Sequence, residues 1–335
     1  MTPVILAPAE ANDAAESEPK SPVKQAPGRA KARLVLAAKI LVTAGALGWT
    51  FTHMSRKDLF DAVGRLSASA VVIATALTLL NLGVAAFRWR VLLAAYGAKN
   101  IPGLPFLGRA QLVGFFYNQF VPGNVTGDVL RGHATRDCFE GPLGSYMVVA
   151  LERFFGLAGL ASIGAIGLLL HPLPGVVDAR ILAAAAFGIS VMIALVPVLG
   201  RKVGRFVPGR LGRWASNLPA VERPILLVAV LLLSLLTHSI VGLTGHVLLD
   251  VITPQITWTE SLVLVPLAMI SMYMPLSVAG LGVREAAFVF VFGKVAVSRA
   301  DATAASLAFF AVCAIVAAMG GLVHLARPLS ATTKG

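Results

Sequence analysis

Residues 114–131 read GFFYNQFVPGNVTGDVLR, and the reading of this stretch decides the fold. It gathers Asn118, Gln119, Asn124, Thr126, Asp128 and Arg131 around a Pro122-Gly123 corner, while the sequence on either side is almost continuously apolar. Inside a bilayer, polar groups and interrupted backbone are tolerated only where protein or a water-filled cavity surrounds them. The stretch is therefore expected to line a site within a membrane-embedded protein. A second stretch, PLSVAGLGVRE at 275–285, again joins a helix-breaking Pro and Gly tip to an arginine. The expectation is that the two tips meet and form the working part of the molecule.

Working outward, 57% of the residues are hydrophobic and only 13% charged, with a mean hydropathy of +0.82. That composition belongs to integral membrane proteins. Apolar runs of about 20 residues or more point to helices, because barrel strands would alternate over roughly ten. The net charge of +12 does not point to nucleic acid. Basic residues sit mostly at the ends of apolar runs, as contact with anionic headgroups and the positive-inside rule require. Cys138 and Cys313 lie far apart and offer neither a disulfide framework nor metal-ligand spacing. The first long apolar run lacks a small-residue cleavage site and reads as a retained span.

Taken in order, residues 1–33 are rich in Ala, Pro, Ser and Glu, then turn basic, and read as a disordered cytoplasmic arm. Full spans are expected at about 34–53, 69–87, 143–170, 181–199, 225–249 and 303–326. A short polar link follows the first, and Arg88-Trp89-Arg90 reads as the interfacial anchor closing the second. Residues 200–224 hold Arg201, Lys202, Arg205, Arg210, Arg213 and Arg223 against the single acid Glu222, which marks a cytoplasmic loop. The stretch 250–260 has no basic residue, as expected outside. About six full spans place both termini in the cytoplasm of a bacterial inner-membrane protein, with residues 34–327 forming one transmembrane domain and 328–335 a short tail.

Two regions do not span. The apolar legs at 106–121 and 128–139 reach about 24 and 18 Å at helical rise, against a hydrocarbon core of roughly 30 Å. The legs at 261–274 and 283–293 reach about 21 and 16 Å. Each pair reads as a re-entrant hairpin, one from each face of the membrane. The fold class expected is an all-α polytopic membrane protein whose two opposed hairpins meet near the midplane, an arrangement that recurs in secondary transporters.

In each hairpin the outgoing helix starts at the tip, so its unpaired N–H groups and positive dipole end point inward and suit an anion. Thr126 or Asp128 can cap the first such helix, and Gly280 and Gly282 allow close backbone approach at the second. Arg131 and Arg284 lie within a turn of those starts, and arginine matches phosphate oxygens bidentately. Asp128, Glu152 and Glu285 either pair with Arg131, Arg153 and Arg284 or couple protons. The histidines are scattered, with His238 and His246 eight apart and not four, which favours structural roles over metal binding. Phe115, Phe116, Tyr117 and Phe120 read as helix packing. No nucleophile elbow, phosphate loop or paired-Cys motif is present, so neither cofactor nor metal is expected.

The GxxxNxxxPGxxxGDxxR pattern of Gly114, Asn118, Pro122, Gly123, Gly127, Asp128 and Arg131, the Glu152-Arg153 pair and the PxSxxGLGVREAAF form at 275–288 resemble the lysylphosphatidylglycerol synthase transmembrane, or flippase-like, family. The resemblance covers about residues 35–326. It implies a lipid-translocating module, which in the best-known members is joined to a soluble aminoacyl-transfer domain. Nothing after Arg327 has room for that domain, which argues against aminoacylation by this chain. Stand-alone members are similar to proteins encoded with hopanoid, glycolipid or polyprenyl-phosphate pathways.

The function expected is translocation of an anionic or headgroup-modified lipid between leaflets, with membrane lipids and lipid-biosynthesis enzymes as partners. The candidate substrate-binding residues are Asn118, Pro122, Gly123, Thr126, Gly127, Asp128, Arg131, Glu152, Arg153, Ser277, Gly280, Gly282, Arg284 and Glu285. Two other readings stay open: an intramembrane enzyme on a lipid-linked substrate, with Asp128 or Glu152 as base, and a non-catalytic scaffold of a lipid-synthesis complex.

Overall fold

Hydroxyl side chains mark where the helices begin. Ser55, Ser67, Thr257 and Ser298 each sit in extended backbone and accept a hydrogen bond from the N–H three residues on. Each thereby satisfies one of the four donors that a helix start leaves unpaired. At Thr257 the cap is reciprocal, since Glu260 reaches back to the Thr257 N–H at 2.8 Å. The computed structural model describes residues 55–121, 125–141, 143–170, 177–204, 220–273 and 282–329, with scattered positions at 41–48, 172 and 206–212. The expected N-terminal arm, most of the first expected span, and the tip segments 122–124 and 274–281 lie outside the described residues.

Among the described residues the chain forms ten α-helices and no strand. They are α1 (Arg56–Gly64), α2 (Ala68–Ala95), α3 (Leu104–Phe120), α4 (Thr126–Ala134), α5 (Leu143–Leu170), α6 (Ala179–Gly204), α7 (Ile225–Ile252), α8 (Trp258–Met269), α9 (Val283–Gly293) and α10 (Arg299–Ala326). Single 3₁₀ turns follow α4 at Arg136–Cys138 and α8 at Ile270–Tyr273. Among the described residues four helices, α2, α5, α7 and α10, are long and apolar enough to cross a membrane. At 28 residues each they extend about 42 Å, more than the roughly 30 Å hydrocarbon core.

Two expected boundaries move. The polar link before the second span is the short helix α1, capped by Ser55 and tied to the start of α10 by an Arg65–Asp301 ion pair. Helix α2 runs eight residues past the expected end of its span and carries Arg88, Trp89 and Arg90 inside it. The apolar run Val91–Leu92–Leu93–Ala94–Ala95 continues the same helical face beyond the charges, and Trp89, Leu92 and Leu93 are fully buried.

The core falls into two main clusters. Leu248, Leu249, Leu264, Phe288, Phe292 and Val312 join α7, α8, α9 and α10. Trp89, Leu92, Leu93, Leu107, Val148 and Phe155 join α2, α3 and α5. Close helix crossings depend on missing side chains. A Cβ on Gly320 of α10 would stand 2.3 Å from the Leu112 carbonyl oxygen of α3, and Phe116 packs over Gly321 beside it. The two clusters leave a polar seam between them, which holds the candidate site.

Candidate functional site

Helices α3 and α4 touch backbone to backbone. A Cβ on Gly127 would fall 1.9 Å from the Gly114 carbonyl oxygen, so the thirteen-residue spacing of these glycines brings the start of α4 against the middle of α3. Asn118 spans the gap. Its Oδ1 accepts from the Gly127 N–H at 2.9 Å and its Nδ2 donates to Asp128 Oδ1 at 3.3 Å. The start of α4 is thus satisfied from α3 by Asn118, whereas Thr126 or Asp128 was expected to cap it. The cap position itself is held by Val125, and Thr126 is the first helical residue.

Behind this contact lies a buried ion network. Arg131 pairs with Glu152 of α5 and stands 3.6 Å from Asp128, one turn before it on α4. Arg153 pairs with Asp128, and Arg88 of α2 donates to Glu152 Oε1 at 3.2 Å. The Arg131 guanidinium lies over the Trp89 indole, 4.4 Å from its centroid, in a cation–π contact. Glu152 and Arg153 serve different partners, Glu152 facing Arg88 and Arg131 while Arg153 reaches Asp128. Only 3% of the Glu152 side chain and 8% of the Arg131 side chain are exposed. Membrane-embedded charges are stable in this form, each with a counter-charge.

The expected anchor role of Arg88 and Trp89 is corrected here. A tryptophan at the headgroup level keeps its polar edge wet, but Trp89 is fully buried under Arg131. Arg88 bonds inward, with Nη1 3.2 Å from both Ser234 and Thr237 of α7. Arg90 donates to the Pro102 carbonyl in the turn before α3.

A second cluster forms at α9. Gly282 has φ +79°, ψ −54°, a conformation that side-chain-bearing residues rarely adopt, and its N–H donates to Glu285 Oε2. Glu285 Oε1 accepts from Ser306 of α10 at 3.1 Å and pairs with Arg284. Arg284 Nε donates to Ser306 at 3.0 Å, and its guanidinium stands 4.9 Å from the Phe310 ring centroid. Glu285, at 0% exposure, occupies the anion position at the start of its own helix. The conformation of Gly282, beyond close approach to a ligand, accounts for glycine at that position.

Between the clusters is a cavity of about 330 Å³. Its wall carries Arg88 and Asn81 of α2, Gln111 and Gln119 of α3, Thr237 and His238 of α7, and Arg284, with Leu82, Phe115, Met269 and Phe309 supplying apolar surface. The wall residues of α2, α7 and α10 fall near the middle of those 28-residue helices. Of the sequence-nominated residues, Arg284 lies on this wall. Asn118, Gly127, Asp128, Arg131, Glu152, Arg153 and Glu285 gather in the two clusters behind it, and Thr126 starts α4. Pro122, Gly123, Ser277 and Gly280 lie outside the described residues.

Arg88, Asn81 and Gln111 were not nominated. Their signal was available: each interrupts an apolar run that resumes on the same helix, the sign of a polar group turned inward. His238 Nε2 meets the Gly156 carbonyl at 2.8 Å, joining α7 to α5. Among the described residues no group of His, Cys, Asp and Glu is placed to hold a metal ion, and both cysteines are free thiols. Phe116 stacks edge-on with Tyr117, which meets His324 of α10.

Apolar helices long enough to cross a membrane, with a cavity and paired buried charges among them, define a multi-pass helical membrane protein. The chain belongs to the family described as the lysylphosphatidylglycerol synthase TM region, whose sequence profile matches residues 36–321. That family comprises membrane domains associated with lipid modification or translocation. No curated protein matches the chain.

Proposed function

We propose that this protein moves an anionic or headgroup-modified lipid between the leaflets of a bacterial inner membrane, with the lipid phosphate held at the central cavity. The observation that carries the reading is the placement of two guanidinium groups, Arg88 and Arg284, on the wall of one cavity near the middle of the long helices. Midplane polar cavities are where transporters hold substrates, and arginine forks suit phosphate oxygens. Arg131 acts one step behind, holding Glu152, which in turn holds Arg88. Asp128, Glu152 and Glu285 balance the positive charge.

In this reading α3 with α4, and α8 with α9, are the legs of two opposed re-entrant hairpins. At 17 and 9 residues, α3 and α4 extend about 26 and 14 Å, too short to cross singly. Six spans and cytoplasmic termini complete the topology. An intramembrane enzyme would need Asp128 or Glu152 as a free base facing substrate. Neither lies on the cavity wall and both are engaged in ion pairs, which favours translocation.

The test is a leaflet-resolved assay of labelled anionic lipid in proteoliposomes. Arg284→Ala and Arg88→Ala are each expected to slow transfer by about tenfold or more, since a charge-assisted bond contributes roughly 1.5–3 kcal/mol. Unchanged transfer in both variants overturns the proposal. A chemically altered lipid after incubation supports the enzyme instead.

A further inference from the structure

Resting on the lipid reading above, we infer that Glu152 and Glu285 are built-in stand-ins for the substrate phosphate. They hold Arg88 and Arg284 while the cavity is empty, yield them to an anion that enters, and take them back as it leaves. Of the described residues, both arginines are on the cavity wall and neither acid is. Arg88 pairs with Glu152 at 3.2 Å, and Arg284 pairs with Glu285. A lone arginine is costly at membrane depth, so an empty cavity needs each acid where it stands. A phosphate reaching these arginines competes with a carboxylate already in place. It is therefore held more weakly than free guanidinium groups would hold it.

The two acids share a construction that lets them release an arginine without being stranded. Both are buried, and each divides its two oxygens between the wall arginine and a partner that stays. Glu152 Oε1 accepts from Arg88, and Oε2 accepts from Arg131 of α4. Glu285 Oε1 accepts from Arg284 and from Ser306 of α10, and Oε2 accepts from the Gly282 N–H at the start of α9. When Arg88 turns to an anion, Glu152 keeps Arg131. When Arg284 does, Glu285 keeps Ser306, the Gly282 N–H and the positive end of α9. The bonds that remain fix each carboxylate beside the arginine it released, ready to pair again. Asp128 is placed otherwise, because its partners Arg131 and Arg153 are off the wall. A site that passes its cargo on must be left as readily as it is entered, and an internal competitor provides for the leaving.

The experiment compares the full chain with its Glu152→Gln and Glu285→Gln variants in two assays. One reads, by native mass spectrometry, the phosphatidic acid retained from nanodiscs of phosphatidic acid and phosphatidylcholine. The other follows leaflet-resolved transfer of labelled phosphatidic acid in proteoliposomes. Each glutamine variant is expected to retain about tenfold more phosphatidic acid and to transfer it about tenfold more slowly, the factor given by removing a competing charge-assisted bond. Retention and transfer thus move in opposite directions, whereas a damaged fold lowers both. If Glu152→Gln does not fold, Glu285→Gln carries the test alone, since glutamine keeps an acceptor for the Gly282 N–H. Phosphatidic acid should also raise the melting temperature of that variant by more than it raises that of the wild type. Retention that does not rise, or transfer that does not slow, overturns this inference, and lowered retention in Arg88→Ala and Arg284→Ala then leaves the phosphate site standing. No effect of either alanine variant on retention or transfer overturns the underlying reading. Displacement of the retained lipid by equimolar inorganic phosphate overturns the lipid source in favour of the free anion.

Discussion

The Arg88 guanidinium joins the cavity to the buried network: Nη2 donates to Glu152 Oε1 at 3.2 Å while Nη1 reaches Ser234 and Thr237 of α7. An anion entering the cavity competes with Glu152 for Arg88, and Glu152 is also held by Arg131 of α4. Occupancy at the wall is thereby linked through two side chains to the helix that starts against Gly114.

Glu152→Gln is expected to be costly. It leaves the charges of Arg88 and Arg131 without their shared acid in a site where Glu152 is almost fully enclosed. Breaking a buried pair by removing one partner destabilises by about 3–5 kcal/mol. Thermal unfolding in detergent should show a clear drop in midpoint, and Glu152→Asp, which keeps the charge, should recover part of it. Equal midpoints for wild type and Glu152→Gln would show that the network carries no stability.

Gly127→Ala tests the α3–α4 contact. The added methyl would meet the Gly114 oxygen at 1.9 Å and the Asn118 side chain at 2.9 Å, so the helices must separate and the Asn118 cap is lost. Overpacking of this kind costs about 1–3 kcal/mol, and the lost cap about 1 kcal/mol more. Gly108→Ala on the same helix pair is the control, because nothing lies within 4 Å of its Cβ position and alanine favours a helix. Comparable melting of the two variants would refute the close crossing.

How much of this was legible in the sequence depended on distance along the chain. Helix α5 was readable end to end as 143–170, and α7 to within three residues, because an unbroken apolar run and its polar flanks are local properties. The end of α2 was misread because Arg88-Trp89-Arg90 looks like an interface when its partners are invisible: Glu152 lies 64 residues away, Ser234 and Thr237 about 146 and 149. The sequence reading picked out Asp128, Arg131, Glu152, Arg153, Arg284 and Glu285 but took Arg88 for an interfacial anchor; of the two roles it left open for Glu285, pairing with Arg284 on the same helix is the one seen. The pairing of Glu152 with Arg131, and of Arg153 with Asp128, is set by helix packing and has no sequence signature. Asn118 was nominated for ligand contact, and its cap on Gly127 becomes visible only when α3 and α4 are seen to touch.

Gly282→Ala is expected to weaken the α9 cluster. At φ +79°, ψ −54° a Cβ is strained by roughly 1–3 kcal/mol. Relief of that strain would rotate the N–H away from Glu285, which would free the carboxylate now shared with Arg284 and Ser306. Lipid retention should fall along with the melting temperature, because Arg284 is on the cavity wall. A variant that melts lower but retains lipid as the wild type does would separate α9 capping from the site.

Cys138 provides a check on the α4–α5 connection. Its thiol is buried in the 3₁₀ turn against the Asn100 carbonyl, and burial, with a smaller contribution from the Asp137 charge, pushes its pKa from 9.0 up to about 11. Only the thiolate reacts with alkylating reagents. In a Cys313→Ala background the iodoacetamide rate should therefore be slow at pH 8 and reach half its maximum only near pH 11, whereas an exposed thiol is half-maximal near pH 9 and levels off about one unit above. The raised value also sets a sign for stability. The contribution of the neutral thiol is fully present below the unfolded value near 9 and is lost as pH rises through 11. A rate that is half-maximal near pH 9 would mean that the turn opens to water, and would remove the burial on which this prediction rests.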